Sequence, residues 1–371
     1  MSVDLPSLLV GSYTATGGGN ATGISIVDDG VARTVAVLDD PSFLAVSGDR
    51  VYAVSETNDG GVSAFRLQGG ALEHLWDAAS GGDAPCHVRV DPSGALVVTN
   101  YVSGTVTAIS LAAAESYSAS VLASDGVVLQ GSGASGSGAS GSGVHGDADR
   151  LDVPARAVAV EVLPDASGPV VDRQESPHAH QSVATPDGTV LVADLGGDAL
   201  HEFRVAVSPD GVPTIEPLRV HHVAPGVGPR HLAWFDGDLF VAGELDGAVH
   251  RLRRDASGSF VVVATTPTFE GDVGESLLSH IEVDDAGLVY VAVRGRDLIV
   301  VLDAADGGLS LVGAASCGGV WPRHFARVPG YVLVANEQSD AVAVLPLGED
   351  GVPGDAVEQI PVGTPTCIVP L

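Results

Sequence analysis

The sequence predicts an all-β chain, a seven-bladed β-propeller whose last blade is closed by strands from both termini. Three observations carry that expectation. One hairpin pattern recurs seven times, its copies lie about one blade apart, and the composition is rich in valine and in turn residues, with 48 Gly and 22 Pro.

Each copy begins with a Pro- or Ser-led step and a short apolar strand, then turns at Asp or Gly into a longer Val-rich strand. The copies read PSFLAVSGDRVYAVSE from Pro41, PCHVRVDPSGALVVTNY from Pro85 and PHAHQSVATPDGTVLVADLG from Pro177. They continue as PRHLAWFDGDLFVAGE from Pro229, SHIEVDDAGLVYVAVRG from Ser279 and PRHFARVPGYVLVANEQ from Pro322. The seventh is split: PTCIVPL from Pro365 supplies its first strand and LLVGSYT near the N-terminus its second. Pro41 to Pro85 is 44 residues and Pro322 to Pro365 is 43, the length of a four-stranded blade. Third strands such as GTVTAISL, DALHEFRV, GAVHRLRR and DAVAVLPL follow the hairpins. The step from Pro85 to Pro177 is twice the norm and contains GSGASGSGASGSG, so 131–143 is expected to be a flexible loop within one propeller domain spanning 1–371. Helical folds fit poorly as alternatives, because no segment keeps apolar residues at helical spacing for long.

Composition narrows the function. The 371 residues carry 47 acidic and 17 basic side chains, a net charge of −30, and all the basic ones are arginine. Such a field excludes nucleic acid as a partner, and an anionic ligand would need a local arginine cluster. Three widely spaced cysteines form neither a disulfide framework nor a zinc pattern and suit a reducing compartment. The N-terminal apolar run is too short for a signal peptide, and no stretch approaches a membrane span. A cytoplasmic protein without membrane contact is expected.

In an antiparallel hairpin the start of the first strand and the end of the second share one edge. Both places are repeatedly polar here. One rim should therefore collect His87, His178, His180, Arg230, His231, His280, Arg323 and His324 from first strands. Asn100, Tyr101, Asp194, Glu244, Arg294 and Asn336 should join them from second strands. Arg230, Arg294 and Arg323 would make an anion site, since guanidinium forks match carboxylate and phosphate. The histidines equally suit blade-to-blade hydrogen bonds, and Asp194 and Asp340 suit turn caps. Arg327 and the Arg251–Arg254 run read as exposed surface, and His221–His222 as loop. His178 and His180 share a strand face as an H-x-H pair but lack a third ligand with convincing spacing, so no metal or other cofactor is expected. No G-x-S-x-G elbow, P-loop or dinucleotide fingerprint is present in the sequence.

The strings ESPHAHQSVATPDGTVLVADLGGD (175–198) and GVGPRHLAWF (226–235) resemble the PHxH…DLGxD and GxGPRHxxF signatures of the propeller-type 6-phosphogluconolactonases. PCHVRVDPSGALVVTNYVSGTV, VYVAVRGRDLIVV and GVWPRHFARVPGYVLVANEQSD match that family in order, and the family is similar in fold to the fungal carboxymuconate lactonizing enzymes. The chain departs from the family pattern at Gly243-Glu244 and at Val293-Arg294-Gly295-Arg296. The resemblance implies hydrolysis of a sugar lactone, 6-phosphogluconolactone of the pentose phosphate pathway, without a cofactor. It implies a catalytic set of His180, Glu244, Arg230 and Arg294, with Arg323 beside them. His87, Asn100, Tyr101, His178, Asp194, His231 and Asn336 would complete the substrate-binding wall. Glu244 or His180 would activate water, while the arginines hold the anion and the developing oxyanion. A lactonizing cycloisomerase acting on a muconate, or a propeller that only binds a partner, are the alternatives.

Overall fold

The computed structural model describes residues 3, 5–128 and 153–371; the Gly/Ser stretch at 131–143 lies outside them. Seven antiparallel four-stranded sheets form seven blades. Blade one is Leu44–Ala79, blade two Pro85–Val162, blade three Ala179–His222 and blade four Pro229–Pro267. Blade five is Leu277–Ser316 and blade six Pro322–Pro361. Blade seven joins Pro365–Pro370 to three N-terminal strands between Leu8 and Val37, with Leu8 opposite Pro370 and Leu9 opposite Val369.

The first strand of each blade packs against the first strands of its neighbours around the axis. Second strands such as Ala95–Asn100 and Asp238–Gly243 are buried along their whole length, so they read as continuous apolar runs rather than alternating ones. Fourth strands such as Val31–Val37 are mostly exposed. Between Phe235 and Asp238 the Asp236-Gly237 turn has positive φ at both residues, 48° and 79°, which gives the hairpin twist a two-residue connection requires.

Seven apolar clusters fill the seven interfaces between blades. The cluster of Leu9, Ile24 and Cys367 against Leu44, Val51 and Phe65 seals blade seven to blade one. It is built like the others, for example Phe240 and Ala242 against Ile281 and Val291. Each fully buried Val or Leu in such a seam contributes about 1.5–3 kcal/mol. Closure therefore rests on ordinary core packing and on the shared sheet of blade seven.

Helix α1 (Leu111–Val128) is inserted after the third strand of blade two. Its LAAAESYSASVLASDGVV sequence has no apolar stripe, so periodicity is silent there, yet alanine-rich segments favour helix by propensity alone. Ser110 caps it, its Oγ accepting the Ala113 N–H at 3.3 Å. Ala114 packs into the blade one–blade two seam, and Ser118 Oγ donates to the Leu75 carbonyl at 2.7 Å. Among the described residues no helix is long and apolar enough to cross a membrane.

Two expectations change. His221 and His222 end a strand, Pro213–His222, with His221 Nε2 3.1 Å from Glu202 Oε2. Arg251 is buried on Asp238 and Arg254 bonds Glu202, because the third strand of blade four is covered by its neighbours. Arg327 lies half-buried, 3.0 Å from Glu282 Oε2, rather than free at the surface.

Candidate active site

Two rings of residues, one residue per blade in each, build the mouth of the channel. The first follows the leading step of every first strand: Ser42, Cys86, His180, Arg230, Ser279, Arg323 and Thr366. The second comes at or directly after the end of each second strand: Tyr13, Glu56, Tyr101, Leu195, Glu244, Arg294 (the last strand residue) and Glu337. The hairpin register sets both. A bulge follows Pro85, Ala179, Pro229 and Pro322, the partners of Asn100, Asp194, Gly243 and Asn336. The next backbone N–H then bonds across the hairpin, as Tyr101 to Ala84, Glu244 to Gly228 and Glu337 to Trp321.

This register shifts His180 away from the histidines it was grouped with. Ala179 pairs with Asp194, so His180 matches Arg230, and Gln181 matches His231. His178 lies one residue before the strand, and both rings meet Tyr101, His180 edge-on with centroids 5.7 Å apart. His178 stacks on Tyr101 with ring centroids 4.3 Å apart, whereas His180 lies at the channel.

Rim and channel enclose a cavity of about 250 Å³ bordered by Glu56, Tyr101, Arg173, His180, Arg230, Glu244, Arg294, Arg323 and Cys86. Glu244 is its buried centre. Arg173 Nη2 lies 2.5 Å from one carboxylate oxygen; Arg230 Nε at 2.9 Å and Arg294 Nη2 at 3.1 Å approach the other. Burial pushes the Glu244 carboxyl up, but Arg294, Arg230 and Arg173 outweigh it and hold it at about 2. Burial, with Arg294 beside it, brings Arg230 down to about 9, so it is still charged at neutral pH. Burial and the guanidiniums of Arg230, Arg323 and Arg294 drive His180 well below its ordinary value, so its ring is neutral.

Arg323 stands on the opposite wall with its terminal nitrogens engaged by Glu337 and the Tyr13 hydroxyl, and Tyr13 in turn donates to Glu56 at 2.9 Å. Several atoms of the cavity, and of Ser42 in the smaller space beside it, have no such partner. Of the fifteen buried side-chain polar atoms without a hydrogen bond among the described residues, six belong to Ser42, Glu56, His180, Arg230 and Arg294. The Arg230–Glu244 contact is within ion-pair distance, but the Nε–H is not directed along it, so Nε and Nη1 both count among the six. Buried groups normally find partners, so this concentration marks a place built to meet a ligand.

The structure thus brings His180, Arg230, Glu244, Arg294, Tyr101 and Arg323 together. His87, His231, His280 and His324 lie one layer deeper with Phe43: His231 Nδ1 is 2.8 Å from His280 Nδ1, and His280 stacks on His324 at 3.9 Å. Blade-to-blade bonding occurs here too, Ser182 N–H reaching His87 at 3.5 Å and Ile368 N–H reaching His324 at 3.4 Å. Asn100, Asp194 and Asn336 do not border the cavity. Asn100 and Asn336 donate to the carbonyls of Ser80 and Cys317, and Asp194 accepts the His178 and Gly197 N–H groups. Asp340 accepts the Thr364 N–H at 2.8 Å, a capping role. Arg173 and Glu56 are additions. Glu56 occupies the ring position of Glu244 and was visible there; Arg173 comes from the connection between blades two and three, which has no repeat to reveal it. Among the described residues no group of three His, Cys, Asp or Glu side chains is arranged to hold a metal ion.

The family model of the lactonase seven-bladed β-propellers matches residues 7–370. The 6-phosphogluconolactonase of Bacillus subtilis (strain 168) is 29% identical over 351 residues, covering 89% of this chain and 88% of its own. A 6-phosphogluconolactonase of Formosa agariphila is 26% identical, with 91% of each chain covered. Among solved structures, the periplasmic gluconolactonase of Pseudomonas aeruginosa superposes with a TM-score of 0.75 at 25% identity, covering 99% of both chains. With its repeat, its closed ring and its arginine-lined channel, the chain belongs to the lactonase family of seven-bladed β-propellers.

Proposed function

We propose that the protein hydrolyses a phosphorylated sugar lactone, 6-phosphogluconolactone to 6-phosphogluconate, in the cavity over Glu244. One observation carries this reading: three guanidiniums converge on a single buried carboxylate, leaving a net positive pole inside a chain of net charge −30. That pole suits a phosphate or a carboxylate and the oxyanion formed when water attacks an ester carbonyl. Glu244, held at about 2, is a weak base at neutral pH; its role is to hold Arg173, Arg230 and Arg294 in place. His180, neutral and with its Nδ1 free of any partner, is the group that accepts the proton of the attacking water. Charge brought in by the substrate opposes the arginines and raises its basicity in the complex. The step needs no cofactor. Three unpaired, buried thiols at Cys86, Cys317 and Cys367 support a cytoplasmic setting.

The test is turnover of freshly made 6-phosphogluconolactone, coupled to NADP-dependent phosphogluconate dehydrogenase and corrected for spontaneous hydrolysis. Wild type should exceed background in proportion to enzyme, and His180→Ala should lose most of kcat. Full kcat/KM in both His180→Ala and Glu244→Gln would sink the mechanism. Turnover of glucono-1,5-lactone alone would move the substrate to the unphosphorylated sugar, and turnover of a carboxymuconate alone would select the lactonizing reaction.

A further inference from the structure

Beneath the cavity lies a second, much smaller space, walled by Ser42, Glu56, His180, Arg230, His231 and Thr366 among others. It offers about 10 Å³ to the centre of a water molecule, about one water's worth. It shares Glu56, Cys86, His180, Arg230 and Arg323 with the cavity above, so the two are joined through one wall. Five of the unpartnered buried atoms belong to its lining: Ser42 Oγ, Glu56 Oε2, His180 Nδ1, Arg230 Nε and Arg230 Nη1. A buried water makes two to four hydrogen bonds, and this lining supplies both acceptors and donors for them.

Building on the hydrolase reading, we infer that this chamber delivers the attacking water, held between His180 Nδ1 and Glu56 Oε2 beneath the lactone carbonyl. The water donates one hydrogen to each acceptor and receives one from Ser42 or Arg230, which turns its free lone pair toward the cavity. Its oxygen bonds to the carbonyl carbon while one proton passes to His180 Nδ1. The carbonyl electrons move onto oxygen, facing Arg230 and Arg294. The bond from that carbon to the ring oxygen then breaks with its electron pair. The ring oxygen takes the proton back from His180 and becomes a hydroxyl, while the new carboxylic acid releases its remaining proton to solvent. Glu56 is a positioning residue: it aims the water and steadies the imidazolium.

A one-water chamber excludes larger nucleophiles, and methanol tests that directly. Wild type would turn over 6-phosphogluconolactone or glucono-1,5-lactone in ~10% methanol, with products quenched in acid and resolved by mass spectrometry. The enzymatic product should be the free acid alone, while the spontaneous reaction gives methyl ester as well. Ser42→Gly and Cys86→Ala enlarge the chamber wall, and at least one should admit methanol and yield methyl ester. Glu56→Gln should lower kcat ~10-fold or more with KM within ~2-fold. It should also move the acid limb of the kcat profile to lower pH, because a carboxylate beside His180 raises its pKa. Methyl ester from wild type in the spontaneous ratio overturns the inference, as does its exclusion by both enlarged variants or an unchanged kcat in Glu56→Gln. Background rates from wild type on both lactones overturn the hydrolase reading and this inference with it.

Discussion

The strand Asp238–Gly243 carries a buried arginine–carboxylate cluster at each end, and the two are finished to different degrees. At its start, Arg251 Nε bonds Asp238 at 2.6 Å while Nη1 reaches the carbonyls of Ala304 and Gly308. Arg253 adds two more bonds to the same carboxylate. At the other end, three arginines surround Glu244, yet Arg230 keeps two nitrogens and Arg294 one without any partner. Desolvating a guanidinium is tolerated when its donors are all satisfied. Among the described residues the outer cluster leaves no buried nitrogen without a partner, and it is architecture. The channel cluster does leave such atoms, and what completes it is a ligand.

The largest expected effect separates the two ends by pH. His87, His180, His231, His280 and His324 are all depressed by burial in the channel, with neighbouring arginines adding to it, His280 to about 3. An unfolded histidine titrates near 6.5, so between 6.5 and the folded values the unfolded chain binds more protons. Their stabilisation is complete above 6.5 and falls as pH drops, by about 1.4 kcal/mol per pH unit for each ring. With five such rings the losses add as pH falls below 6.5. Asp238, lowered by Arg253 and Arg251 against the push of burial, is affected only below its ordinary value of 3.8. Urea midpoints from pH 7.5 to 5.5 should therefore fall steeply, and His280→Phe should remove about a fifth of the slope. A slope worth one proton or fewer would mean the layer is not held neutral.

Next in size is the contrast of the clusters themselves. Asp238→Ala leaves Arg251 buried without its counter-charge and should cost about 3–5 kcal/mol of stability, with kcat/KM within about twofold. Arg230→Ala should reverse the pattern, losing about 100- to 1,000-fold in kcat/KM with a smaller shift in Tm. If Arg230→Ala moved only Tm, the distinction between the two ends would collapse. Glu244→Gln sits between them. Its carboxylate, ordinarily near 4.5 and held at about 2, contributes about 3 kcal/mol that is present above 4.5 and lost as pH falls toward 2. Variant and wild-type stabilities should thus differ at pH 7 and converge by pH 2–3.

Much of this was legible because a propeller repeats its instructions. PRH at 229–231 and 322–324 announced both the blades and the channel-facing arginines, and the split copy at Pro365 and Leu8 announced the closure. The depth of each residue was not legible. A one-residue bulge after the leading step decides whether a side chain joins the cavity ring or the histidine layer below, and it put His180 with Arg230 rather than with His231. Asn100, Asp194 and Asn336 look like site residues for the same reason: they sit one place before the cavity ring and bond nearby backbone instead, Asn100 and Asn336 that of the connection from the preceding blade. Arg173 lies in a connection with no repeat to compare, and α1 forms by propensity without a periodic face.

The smallest effect probes the edge of the channel cluster. Tyr101 accepts from Arg173 at 3.4 Å, a long bond, while its ring stacks on His178 at an interplanar angle of 6°. Arg173 is anchored separately on Glu244 at 2.5 Å. Tyr101→Phe therefore keeps the stack and removes one weak interaction, worth about 0.5 kcal/mol, the lower end for a hydrogen bond. KM should rise no more than about two- to threefold, kcat should hold, and Tm should hardly move. Tyr101→Ala also removes the stacked pair, worth a further 0.5–1.5 kcal/mol beyond its buried area, and should lower Tm. A hundredfold fall in kcat for Tyr101→Phe would place the phenol on the reacting atoms, making Tyr101 rather than Arg173 the unfinished partner at this end of the strand.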